Sequence, residues 1–255
     1  MVTIDEERGC VAIRNPDGTT RELPFATPEA FEAVSRAWLR CGWDAKYVYG
    51  FTWMGRPIIQ LPEDIVRIQE VIWQLKPDLV IETGVAHGGS LMLYASLFEA
   101  MGHGHAVGID VEIRRHNRVA IEAHPLAGRI TLIEGSSTDA DTLDRVRDRV
   151  RPDDAVLVIL DSNHSRAHVE AELALYAPLV SVGSYIVACD GIMAQLQGAP
   201  RTAADWSWNN PLSAVQRFLT HNADFALDEP AFPFNEGSVR SRVTYWPGSF
   251  LRRLR

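Results

Sequence analysis

The chain has 255 residues, of which 46% are hydrophobic and 23% charged, the balance of a globular domain able to bury a full core. A formal net charge of −8 repels a phosphate backbone and no basic patch offsets it, which excludes nucleic acid as an expected partner. No apolar run approaches the ~20 residues that cross a bilayer, and Cys10, Cys41 and Cys189 are too scattered for a zinc knuckle or a disulfide framework.

The first stretch, MVTIDEERGC, lacks the basic and apolar regions of a leader, so a cytoplasmic protein with no membrane partner is expected. Residues 10–23, CVAIRNPDGTTREL, read as a hairpin around Asn15-Pro16-Asp17-Gly18, where proline presets φ and glycine accepts positive φ. A helix is predicted from Pro28 to about Arg40, with Thr27 as N-cap. The aromatic, irregular segment 47–62, YVYGFTWMGRPIIQLP, reads as a lid or as an interface between copies of a homo-oligomer. Ile65, Ile68, Val71, Ile72 and Leu75 at helical spacing predict a helix over 63–76.

From Asp78 the pattern changes. Apolar runs at 79–83, 105–110, 130–135, 155–161 and 184–190 alternate with helical stretches at about 88–101, 114–124, 139–150, 165–179 and 211–221. Continuous rather than alternating hydrophobicity predicts strands covered on both faces, as in a parallel sheet. Two late runs, 225–230 and 242–247, have no helix between them and are expected to pair antiparallel at one edge. The basic end, Arg252-Arg253-Leu254-Arg255, reads as a solvated helix end or tail. The expected fold class is α/β and Rossmann-like: a mostly parallel seven-stranded sheet, an antiparallel edge hairpin, and helices on both faces. Residues 1–61 form an appended segment and 62–255 the main domain.

In such a sheet ligands bind beyond the carboxyl ends of the strands, where strand order reverses. The first run ends in ETGVAHGGS, 82–90. Gly84 and its neighbours permit a tight turn, and the N–H groups of the next helix suit a carboxylate. The second run ends in Asp110, placed to accept hydrogen bonds from both hydroxyls of a ribose. The third ends in Glu134-Gly135-Ser136-Ser137, small polar residues that suit the edge of an adenine. Together they describe a pocket for an adenosine carrying an amino-acid tail. The fourth and fifth runs end in Asp161 and Asp190 on adjacent strands, paired hard oxygens that suit Mg²⁺ near a substrate hydroxyl. His164 is the candidate general base, whereas His168 reads as a helix-packing histidine.

The segments TWMGRPIIQLPEDIVRIQEVIWQLKPDLVIETGVAHGGS, GIDVEIR, LDSNHSRAHV and YIVACDG, in that order, resemble the cephalosporin hydroxylase/rhamnosyl O-methyltransferase family over roughly residues 51–220. The resemblance implies a class I methyltransferase fold, S-adenosylmethionine as cofactor, Mg²⁺, and a sugar or glycoside acceptor. Activity on a deoxysugar such as rhamnose, nucleotide-linked or glycosidic, in natural-product biosynthesis would follow. It further implies that Glu82, Gly84, His87, Gly88, Ser90, Asp110 and Ser136 line the cofactor pocket, and that Asp161 and Asp190 hold the metal. The chain departs from the family at Cys189-Asp190, where Glu-Asp is common; Asn209 or Asn210 replaces the missing ligand, or the site is weaker or empty. Aromatic residues at Trp53 and in Trp206-Ser207-Trp208 close over the acceptor, or serve as core or oligomer contacts. Three rivals stand beside this reading: an iron/2-oxoglutarate hydroxylase using His168-Val169-Glu170, a nicotinamide dehydrogenase, which the missing GxGxxG disfavours, and a non-catalytic cofactor-binding scaffold.

Overall fold

The computed structural model describes residues 1–255. The N-terminal hairpin is a three-stranded antiparallel meander, β1 (Val2–Asp5), β2 (Cys10–Arg14) and β3 (Thr20–Pro24). Its first strand, joined to β2 by a turn that ends at Gly9 with φ +63°, lies outside the expected hairpin. Helix α1 (Pro28–Asp44) starts where expected: Thr27 Oγ1 accepts the Ala30 amide at 3.3 Å, and Pro28 opens the first turn. The stretch read as irregular holds a short hairpin, β4 (Phe51–Trp53) with β5 (Arg56–Ile58), followed by α2 (Pro62–Leu75).

The main sheet then runs β6 (Leu79–Thr83), α3 (Gly89–Met101), β7 (His105–Asp110), α4 (Arg115–Glu122), β8 (Ile130–Glu134), α5 (Ala140–Arg147), β9 (Val156–Leu160), α6 (Arg166–Tyr176), β10 (Tyr185–Ala188), α7 (Pro211–His221), β11 (Phe225–Leu227) and β12 (Phe250–Arg253). Strand order is β11-β12-β10-β9-β6-β7-β8, with β6 to β10 mutually parallel and β11 and β12 antiparallel. The expected seven-stranded fold is present. Order reverses between β6 and β9, the switch point at which ligands bind.

Both faces of the sheet are covered. Val80, Leu157, Ile159 and Val187 pack under α2 and α3, while Ile81, Val107, Val158 and Ile186 face α5, α6 and α7. Each fully buried valine or isoleucine contributes roughly 1.5–3 kcal/mol, which is why these strands carry no polar alternation. No helix is long and apolar enough to cross a membrane.

One edge strand differs from expectation. The partner of β11 is β12 at the basic terminus rather than 242–247. Arg252 and Arg255 stay at the surface, bonded to Asp228 and Asp224, while the adjacent Phe250 and Leu251 are buried, one on each face of the sheet. Residues 244–246 are instead buried against α2, where Asp64 accepts bonds from the Thr244 hydroxyl and, at 2.8 Å, the Tyr245 amide. An apolar-polar alternation records burial but not which polar group satisfies the backbone.

Candidate active site

Four strand ends meet in a cleft of about 350 Å³, lined by residues that include Gly84, Asp110, Ser136, Asp161 and His168. A smaller adjoining cleft shares Gly84 and Asp161 and adds His87, Ser90 and Gln60. A larger groove of about 570 Å³ between α6 and α7 holds none of the expected cofactor or metal residues.

Gly84 is the junction. Its φ is +94°, and an ideal Cβ there would sit 2.1 Å from the Asp161 carbonyl oxygen, so both the backbone angle and the neighbouring strand demand glycine. The turn is held from β7. Asp110 Oδ2 accepts the amides of Val85 at 2.9 Å and Ala86 at 3.2 Å, and Oδ1 accepts Glu112 N at 3.1 Å. A carboxylate offers about four acceptor positions; one remains, on Oδ1. The structure thus gives Asp110 a scaffolding role beside any bond to a ligand.

Glu82 is fully buried and lines neither cleft. It accepts Ser90 Oγ at 2.7 Å and Tyr94 Oη at 2.8 Å, and burial, then the Asp161 charge, push its carboxyl up to about 8. Through these two bonds it buttresses Ser90 and Tyr94 of α3. Gly88 begins α3 in the left-handed region, and His87 turns its carbonyl toward Arg56. Ser136 Oγ lies 3.0 Å from Thr138 Oγ1 at the rim.

Asp161 and Asp190 converge as expected, and His164 joins them. The ligand atoms of the three lie within 4.8 Å of one another; His164 Nε2 is 3.4 Å from Asp190 Oδ2 and 4.0 Å from Asp161 Oδ1. About a quarter of each side chain faces solvent. Burial and then the Asp190 charge push the Asp161 carboxyl up to about 6, opposed by His164 and Gln60. Asp190 adopts φ +60°, a strained angle for a residue other than glycine and one that recurs at functional sites. Two oxygens and an imidazole at this spacing fit a divalent cation.

The suggested substitutes for a missing ligand are elsewhere. Asn209 accepts Arg166 N and donates to Asp205, and Asn210 caps α7 through Ser213 N. Cys189 is buried and its thiol is pushed well above the ordinary range by burial and nearby carboxylates, which makes it a poor thiolate ligand.

His168 was read as a packing residue. It lines the cleft, with Nε2 at 3.2 Å from Ser137 Oγ and from Ser162 Oγ and 3.3 Å from Glu172 Oε1. Glu172 stays ionised despite burial because His168, Ser137 and Ser162 bond it. Glu170 points outward to Arg166 and Arg217. The HxE triplet therefore forms no facial triad. Trp53 donates to Ser96 on α3 at 3.0 Å, Trp206 packs edge-on to Trp43, and Trp208 is over half exposed.

The family described as Rhamnosyl O-methyltransferase/CmcI matches residues 45–254, and the chain belongs to it. A Rhamnosyl O-methyltransferase of Mycobacterium bovis (strain BCG / Pasteur 1173P2) is 34% identical over 145 residues, 54% of this chain and 56% of the relative. One of Mycobacterium leprae (strain TN) is 32% identical over 169 residues, 66% of this chain and 69% of the relative. The chain thus spans little more than half the length of the Mycobacterium bovis relative. Among solved structures, CmcI in its apo form is similar with a TM-score of 0.54 at 21% identity, covering 81% of this chain and 77% of that one. CmcI with Mg and SAM gives 0.53 at 20%, over 81% and 78%; both bear on the fold alone.

Proposed function

From that family membership we propose that the chain transfers a methyl group from S-adenosylmethionine to a hydroxyl of a sugar or glycoside. The observation that carries this reading is the convergence of Gly84, Asp110, Ser136 and Asp161 on one cleft at the switch point, with Asp190 beside Asp161. The adenine lies along Ser136, the ribose meets Oδ1 of Asp110, and the amino-acid tail enters the smaller cleft beside Ser90. This binding mode leaves the sulfonium facing Asp161.

S-Adenosylmethionine supplies an already activated methyl, so positioning accounts for much of the acceleration. A divalent cation, Mg²⁺ in this reading, supplies Lewis acidity that lowers the pKa of a nearby hydroxyl. Asp161 and Asp190, whose ligand atoms lie within 4.8 Å of each other, would hold that cation. His164 receives the acceptor proton as the new O–CH₃ bond forms and the S–CH₃ bond breaks, leaving a neutral sulfide.

The acceptor we favour is a deoxysugar such as rhamnose, nucleotide-linked or glycosidic, used in natural-product biosynthesis in the cytoplasm. The rhamnosyl relatives support that choice. Exposed Tyr47, Tyr49 and Met54 beside the β4–β5 hairpin support self-association through residues 1–61. Incubation with methyl-labelled S-adenosylmethionine, Mg²⁺ and a panel of rhamnosides and nucleotide sugars tests the reading. Label should reach a sugar oxygen, and His164→Ala should abolish this while leaving cofactor affinity intact. Oxygen consumption without label transfer would replace the methyltransferase with the hydroxylase.

A further inference from the structure

His168 lies on α6, yet the groups it bonds come from two separate strand ends. Ser137 follows β8 and Ser162 follows β9, and the sheet places β6 and β7 between those strands. Both hydroxyls stand 3.2 Å from His168 Nε2. One helical turn on, Glu172 Oε1 accepts the Ser162 hydroxyl at 2.7 Å and lies 3.3 Å from the same nitrogen. Tyr176, a further turn along, donates to the Ser137 carbonyl at 2.9 Å. One face of α6 thus gathers the two loops that border the cleft. A histidine that served only to pack its helix would need none of these bonds.

The network also decides which ring nitrogen carries the proton. The Glu172 side chain is buried and ionised, so it can only accept. Nε2 beside it therefore holds the hydrogen, and in the neutral imidazole Nδ1 keeps its lone pair. Nδ1 has no partner within the protein, and the His168 side chain is 23% exposed where it lines the cleft. An acceptor of fixed sense is thus presented to an occupant of the cleft. Ser136 and Ser137 fix no such sense, because a hydroxyl rotates to donate or accept. Val111, exposed at the same cleft, supplies apolar surface for the face of a planar ring.

We propose that His168 selects the base of the cofactor, its Nδ1 accepting a hydrogen bond from the exocyclic amino group of adenine. The inference rests on the reading of the cleft as an S-adenosylmethionine site. Hypoxanthine carries a carbonyl oxygen in place of that amino group, so two acceptors would face each other. Burying such an unmet pair lowers affinity roughly 10–100-fold.

Calorimetric titration of the full chain with S-adenosylhomocysteine and S-inosylhomocysteine measures this without turnover. The Glu172 bond raises the His168 pKa, so the titrations are run at pH 8.5, well above the ordinary histidine value of about 6.5. The parent should prefer the adenosyl compound roughly 10–100-fold. His168→Gln keeps an amide N–H near the Nε2 position but removes the acceptor, and its preference should fall close to parity. His168→Asn can place an amide oxygen at the Nδ1 position and should retain most of the preference. An unchanged preference in His168→Gln, including an equal and measurable weakening of both compounds, would make His168 a packing residue and overturn the inference. A parent that binds the two compounds alike, or the inosyl compound better, would overturn it as well and leave the cofactor site standing. Should His168→Gln bind neither compound, His168→Asn decides: a retained preference supports the base contact and a lost one overturns it. If the parent binds neither, the cofactor site itself fails and takes the inference with it.

Discussion

At Gly84 two independent constraints act on one atom position, the positive φ and the Asp161 carbonyl 2.1 Å away. Neither can relax cheaply, because Asp161 N is bonded to the Thr83 carbonyl at 2.9 Å and Gly84 N to the Ile109 carbonyl at 2.7 Å. Gly84→Ala should therefore lower stability by roughly 2–4 kcal/mol and remove measurable S-adenosylhomocysteine binding, read by urea unfolding and calorimetry. A variant that binds as the parent does would show that the turn has room the backbone geometry denies it. Gly84, Asp110, Asp161 and Asp190 were legible in the sequence because each ends an apolar run, and a parallel sheet carries such ends to one edge. Gln60 and His168 were not. An amide inside PIIQLP and a histidine on a helix give no periodic signal, and only the fold brings Gln60 into the smaller cleft and His168 into the larger one beside Glu172.

Among the elements, α2 is anchored by a buried acid rather than by apolar contacts alone. Asp64 is inaccessible, and burial pushes its carboxyl up to about 7 against the opposing effect of the Thr244 and Tyr245 bonds. An acid whose folded pKa exceeds its unfolded value, here 3.8, binds a proton more tightly when folded. Its contribution is complete below about pH 4, declines as pH rises toward 7, and levels off above that. Parent stability should thus fall by a few kcal/mol over that window relative to Asp64→Asn, which cannot titrate. Denaturant unfolding of both proteins at pH 5 and pH 8 decides: a parent-to-variant difference that is the same at the two pH values would mean Asp64 is ionised throughout. The same anchor explains the misassigned edge. Val243 to Trp246 carry strand-like composition, yet the Thr244 hydroxyl and Tyr245 amide are committed to Asp64 and the Trp246 amide to Thr244, which leaves the edge to Phe250–Arg253.

Across the whole molecule the question is where the appended segment ends. The sequence divides the chain at 61/62, on the change from irregular to periodic patterning. Packing divides it earlier. Val11 and Leu23 of the meander cluster only with Ala30 and Ala33, whereas Leu39, Val48, Ile58 and Leu61 sit in the same core as α2, α3 and the sheet. Tyr245 Oη also donates to the Leu39 carbonyl at 3.2 Å, tying the end of α1 to the loop before β12. Removing residues 1–26 exposes two alanines and should leave S-adenosylhomocysteine affinity unchanged. Removing 1–61 strips four buried side chains worth roughly 6–12 kcal/mol together, as much as a domain's entire stability of about 5–15 kcal/mol. It also deletes Gln60 from the smaller cleft and the Arg56 bonds to His87 and Asn117. That shorter chain should be unfolded by circular dichroism. A cooperative, cofactor-binding 62–255 fragment would instead establish the boundary at 61/62 and reduce the β4–β5 hairpin to an accessory.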